Sequence, residues 1–227
     1  MSTTMTYLSK DFIDFFKELE ENNNRDWFHL SKSRYEKSVK VPFQKLIGDV
    51  IKSFKDAGEP LNIEPKDAIF RINRDVRFSK NKAPYKTNVA AIISPEGRKD
   101  KEVPGFYIQA SANSIWLGGG AYALEKENLF MVREFIKLNP DRYKKLLSDK
   151  NFIKHYGEIK GEKNKILAPE FREIAADIPD IFNKQFYYMA ELPAKELISD
   201  KLLKTITDYK NASLGMQQFL TEAILRG

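Results

Sequence analysis

Apolar residues recur at helical spacing near the start of the chain. Leu8, Phe12, Phe15, Phe16 and Leu19 share one face, with Ser9 placed as an N-cap, which predicts a helix over 8–21. Asn22, Asn23 and Asn24 break the pattern, and a second helix is predicted from Arg25. Phe43, Leu46, Ile47, Val50, Ile51 and Phe54 form a continuous stripe, which predicts a third helix over 42–57. Pro42 suits its first turn and Gly58 its exit. The period then changes. Thr87 to Ser94 is rich in β-branched residues, and Phe106, Ile108 and Ala110 alternate with Tyr107, Gln109 and Ser111. Ile115-Trp116-Leu117 follows after the short Ala112-Asn113 link, so an antiparallel hairpin is expected.

Helical spacing returns at Leu129, Val132 and Ile136, and Pro140 opens another short helix. The polar stretch from Gly157 to Lys165 reads as a loop, and Phe186 to Leu192 alternates like one more strand. Leu202 to Ile224 reads as a helix with a bend near Asn211 to Gly215. Helices, then hairpin-linked strands, then helices describe an α+β fold. The expectation is one domain over 1–227, an antiparallel sheet of about four to six strands with N-terminal and C-terminal helices packed around it.

Charge changes the picture at one place. The net charge is +6, yet residues 1–60 carry ten basic and ten acidic side chains. The window R-I-N-R-D-V-R-F-S-K-N-K-A-P-Y-K, from Arg71 to Lys86, sums to +5 alone. One concentrated island points to a local anion site rather than a diffuse surface. If this segment is extended, Phe70, Ile72, Val76 and Phe78 face one way with Arg74 among them. Arg74 on an apolar face is then expected to be buried and paired with a carboxylate, because an unpaired buried guanidinium is costly. On the other face Asp75 lies between Arg71 and Arg77, close to Ser79, and holds the arginine forks in fixed orientation. Lys80, Lys82 and Lys86 flank a turn marked by Asn81 and Pro84, and Tyr85 offers a ring face and a hydroxyl. Arg71, Arg77, Lys80, Lys82, Lys86 and Tyr85 are expected to line one concave positive surface.

Other motifs add little. Trp27 and Phe28 suit a base or nucleotide beside cations, although such residues are more often core. Gly118-Gly119-Gly120 lies between strand and helix, but it is neither G-x-G-x-x-G nor a P-loop, and it reads as a strand end packed close to its neighbours. Two histidines, His29 and His155, make no metal motif, so neither metal nor cofactor is expected. With no cysteine, disulfides, iron–sulfur clusters, thiolate zinc and thiol nucleophiles are excluded. The longest apolar run, Val89 to Ile93, is far short of a membrane span. The opening M-S-T-T-M-T-Y-L-S-K-D lacks an apolar signal core, so a cytoplasmic location without membrane contact is expected.

R-D-V-R-F-S-K-N-K-A-P-Y-K-T resembles the signature of a widespread family of conserved hypothetical proteins, a domain of unknown function. N-N-N-R-D-W-F, from Asn22, and G-F-Y-I-Q through W-L-G-G-G-A-Y, from Gly105, resemble the same family. The family pattern more often has an acid where this chain has Asn81. The resemblance implies a single intracellular domain and no particular reaction.

Three functions compete. The first is a binding module holding an anionic small molecule, phosphorylated or carboxylated, or nucleic acid, through Arg71, Arg74, Asp75, Arg77, Ser79, Lys80, Lys82, Tyr85, Lys86 and Trp27. The second is an enzyme using Asp75 for proton transfer and the arginines to stabilise developing charge. The third is a scaffold locked by internal salt bridges. Asp75 between arginines stays ionised and orients better than it donates protons, which ranks binding first.

Overall fold

The computed structural model describes residues 5–100 and 103–225. Its sheet is antiparallel, with strand order β1-β2-β3-β4: β1 (Asn88–Ile93), β2 (Gly105–Ser111), β3 (Ser114–Ala121) and β4 (Phe186–Pro193). Strand order follows sequence order; β2 and β3 form the expected hairpin, whereas helices separate β3 from β4. The fold is α+β.

The chain divides into two compact units, each built from several segments. The first takes in the chain up to Arg98, Tyr107–Leu117 and Glu191–Thr207. Its opening helix, α1 (Lys10–Glu21), buries Phe12, Phe15, Phe16 and Leu19, the face that the periodicity predicts. The three asparagines that follow do three different jobs. Asn22 turns back on the end of α1, its side-chain amide donating to the Glu18 carbonyl at 2.9 Å. Asn24 accepts from the Trp27 backbone N–H at 2.9 Å and so caps α2 (Arg25–Leu30). Asn23 is left to reach elsewhere.

Helix α3 (Lys32–Tyr35) runs through a π-turn, Glu36–Lys40, into α4 (Val41–Asp56). Helix α4 buries its whole predicted stripe and packs against β1. Gly58 leaves it with φ +93°, a conformation L side chains rarely adopt. A short helix, α5 (Pro65–Ala68), leads into the basic stretch.

The second unit holds Lys99–Phe106, Gly118–Ala190 and Asp208–Gly227. Its helices are α6 (Lys126–Leu138), α7 (Pro140–Leu147) and α8 (Lys150–Tyr156). Its core gathers Val132, Ile136, Phe152, Tyr156, Phe186, Tyr188 and Phe219. The glycines of β3 sit where no side chain fits. A Cβ at Gly118 would overlap the Tyr188 carbonyl, and one at Gly120 would overlap the Phe186 carbonyl. They allow close approach of β4, as expected.

One expectation changes here. Gly157 to Lys165 is not a free loop: antiparallel bridges Lys160↔Tyr187 and Lys163↔Asn183 lay it along β4. Single bridges require no alternation of apolar and polar residues, so the pattern gives no sign of them. The last helix is α9 (Leu202–Leu225), which covers the predicted span.

Candidate functional site

The basic stretch is not one extended strand. It forms most of an arm that leaves the sheet at the bridge Ile69↔Ala91, pairs with itself at Asn73↔Tyr85 and turns back at its tip. Between these, Phe70 N–H donates to the Ala90 carbonyl at 2.9 Å and Lys86 N–H to the Ile72 carbonyl at 2.8 Å. Arg74 N–H donates to the Pro84 carbonyl at 2.9 Å. Beyond Arg74 the pairing stops and the chain turns back through residues 76–82.

Asn23, in the link between α1 and α2, and Phe28 of α2 hold the arm at Tyr85. Asn23 donates from its amide to the Tyr85 carbonyl at 3.0 Å and accepts the Tyr85 N–H at 3.1 Å. One side-chain amide thus satisfies both backbone groups, as a neighbouring strand would. The Tyr85 ring stacks on Phe28 with centroids 3.9 Å apart. Phe28 in turn belongs to a cluster with Phe15 and Tyr35.

Beside this anchor lies a cleft of about 360 Å³ lined by Glu20, Asn23, Arg74, Asn81, Tyr85 and Lys86, among others. Arg74 donates to the Ala83 carbonyl at 3.1 Å and to the Ser79 hydroxyl at 3.4 Å. The expectation of a buried Arg74 paired with a carboxylate is corrected on both counts. The side chain is only half-buried, and among the described residues its hydrogen bonds go to neutral oxygens. The reason is the turn: it brings the arm's own carbonyls within reach, so desolvation is partly offset without an acid. Burial, and then the charge of Arg71, push the Lys86 ammonium below its ordinary value. Lys86 also sits over the Phe70 ring, 5.3 Å from its centroid.

The tip is organised around Asp75. Arg77 donates to both carboxylate oxygens of Asp75, at 3.0 and 2.7 Å, and its backbone N–H adds a third bond at 3.2 Å. These side-chain and backbone bonds hold the Asp75 carboxyl below the usual carboxylate range and raise the Arg77 guanidinium. Asp75 is therefore an ionised, orienting group. Among the described residues this is the one ion pair within 71–86, so a lock of internal salt bridges is not what the arm contains. Lys82 folds its ammonium back onto the Val76 carbonyl at 3.0 Å, and Asn81 accepts the Ala83 N–H at 2.9 Å. Phe78 does not share an apolar face with Ile72: Ile72 is buried, whereas Phe78 is 96 % exposed.

Of the residues singled out in the sequence, Arg74, Tyr85 and Lys86 line the cleft together, with Ser79 bonded to Arg74. Asp75, Arg77, Lys80 and Lys82 belong to the tip, and Arg71 is exposed beside the arm. Trp27 packs 5.5 Å from Phe15 and does not line the cleft. Glu20 and Asn23 carried no signal of their own. They meet the arm only because α1 and the asparagine turn fold against a segment some sixty residues away.

A second cleft, about 410 Å³, lies in the other unit, lined by residues that include Glu158, Lys160, Glu162, Lys163 and Asp180. Its charges are mixed, and Lys160 is already bonded to the Met189 carbonyl. Burial raises the Asp180 carboxyl, against the opposing effect of a hydrogen bond from Tyr143. Among the described residues no three His, Asp or Glu side chains gather to hold a metal ion, and no helix is long and apolar enough to cross a membrane. No curated protein matches the chain. The family model described as conserved hypothetical protein, DUF2461, matches residues 11–219, which take in α1 from its second residue and the whole arm. The chain belongs to that family.

Proposed function

We propose that this protein is a binding module for a small phosphorylated or carboxylated ligand, taken up in the cleft at the root of the basic arm. The observation that carries this reading is Arg74 and Lys86 lining one cleft, Arg74 with neutral hydrogen-bond partners and Lys86 with its charged form disfavoured. An oxyanion between them would add negative charge beyond that of Glu20 and offset the repulsion of Lys86 by Arg71. Glu20 and the amides of Asn23 and Asn81 would select ligands that also carry hydroxyl or amine donors. With no cysteine to suffer reduction, the chain suits the cytoplasm, where we place this binding.

Isothermal titration with inorganic phosphate, pyrophosphate, nucleoside monophosphates and sugar acids tests the reading. Saturable one-to-one binding is expected for at least one, lost in Arg74→Ala and in Lys86→Ala while both variants keep the circular dichroism of the parent. Binding that survives both substitutions would remove the cleft from consideration.

A further inference from the structure

We propose that the tip of the arm is a second and separate site, for single-stranded nucleic acid, in which Phe78 stacks on a base while Arg77 and Lys80 take flanking phosphates. This does not rest on the cleft reading, because Phe78, Arg77 and Lys80 do not line the cleft.

A phenyl ring 96 % exposed at the end of a turn is out of place in a chain whose other phenylalanines are mostly buried. Covering it would recover the free energy of removing an aromatic face from water. The surroundings say what covers it. The Arg77 guanidinium lies 5.9 Å from the Phe78 centroid and is fixed there by its two bonds to Asp75. Lys80 and Lys82 are exposed on the same turn, so the tip stays positive after Asp75 and Arg77 offset one another. The turn itself is braced. Ser79 N–H donates to the Val76 carbonyl at 3.3 Å, Lys82 closes on the same carbonyl at 3.0 Å, and Arg74 holds the Ser79 hydroxyl. The ring is therefore presented on a prebuilt loop, and less ordering remains for binding to impose.

A lone aromatic ringed by cations separates the partners. A hydrophobic protein groove or a bilayer interface is gripped by several apolar anchors, and here the neighbouring Val76 is half-buried and Ile72 buried, leaving one ring. A nucleotide strand asks for what the tip has: one flat face for a base, with exposed cations on the same turn for its phosphates. A duplex offers no free base face without unstacking, so the single strand is preferred.

Fluorescence anisotropy with a labelled twelve-nucleotide oligo(dT) is the test, run across a salt series on the full chain and its variants. Phe78 is exposed, so its substitution leaves the core untouched. Phe78→Ala is expected to weaken binding roughly 5- to 150-fold, the range that base stacking on an aromatic is worth. The slope of log affinity against log salt should stay unchanged in Phe78→Ala, and Phe78→Trp should restore affinity. Lys80→Ala should instead make that slope shallower by about 0.7, one phosphate on a single strand. The proposal is overturned if Phe78→Ala binds oligo(dT) like the parent, or if an oligo(dT)·oligo(dA) duplex of the same length binds as tightly. It is equally overturned if the ring proves to matter only for vesicles of phosphatidylserine and phosphatidylcholine.

Discussion

Lys86 shows how one residue's surroundings set its chemistry. Burial and Arg71 lower its ammonium pKa in the folded chain, so the unfolded chain holds that proton more tightly. The charged form therefore costs stability below the lowered value. That cost is relieved as pH rises from the lowered value towards the ordinary lysine value near 10.5. An anion in the cleft acts in the opposite direction, since it stabilises the charged form and draws in a proton. Ligand affinity should fall as pH rises through the lowered Lys86 value, with proton uptake on binding in that window. Titration in buffers of different ionisation enthalpy checks it, and Lys86→Gln should abolish the uptake. An affinity that stays flat with pH until 10.5 would show that Lys86 does not touch the ligand.

At the scale of elements, the stretches that bury one face were legible and those that bury nothing were not. Helices α1 and α4, the hairpin of β2 and β3, and β4 all carry a period that survives in the sequence, because one side of each meets a core. The arm carries charge but no period. Its shape depends on a turn and on Asn23, which lies 62 residues from Tyr85. The sequence therefore marked where the charge lies, and marked Arg74, Tyr85 and Lys86 among it, but not that these three part company with Arg77 and Lys80. The glycines of β3 were read correctly because close packing explains them more simply than a phosphate does. Gly120 makes the sharpest test at this scale, since it combines φ +103° with a Cβ position already filled by the Phe186 carbonyl. Gly120→Ala should cost at least the roughly 1–3 kcal/mol typical of overpacking, read as a lower urea midpoint. Asn24→Ala should cost about 1 kcal/mol through loss of the α2 cap. An unchanged midpoint in either variant would contradict the packing or the cap described here.

For the molecule as a whole, the path of the chain matters more than the number of its elements. The first unit is assembled from three stretches of sequence, and the partner of β1 in the sheet, β2, lies beyond Arg98. A fragment ending at Arg98 would leave Val89, Ala91 and Ile93, all buried in the full chain, without the strand that completes their sheet. Such a fragment should show no cooperative thermal transition by circular dichroism, whereas the full chain should. A sigmoidal melt of the fragment would mean that the segments after Arg98 are dispensable to the first unit.

The grip of Asn23 on Tyr85 has a consequence in time as well as in space. Backbone hydrogens exchange with solvent deuterium only when their bonds open, and the arm is bonded unevenly along its length. At its root, the N–H groups of Phe70, Arg74, Tyr85 and Lys86 are all engaged, that of Tyr85 by a side chain rather than a strand. Towards the tip, bonding is confined to the turn that carries Phe78. Deuterium should therefore enter the tip within seconds and the root far more slowly, and Asn23→Ala should let the label run inward as far as Tyr85. One amide side chain in the link between two helices would then set how far the arm opens, and so how long Phe78 stays in a fixed place.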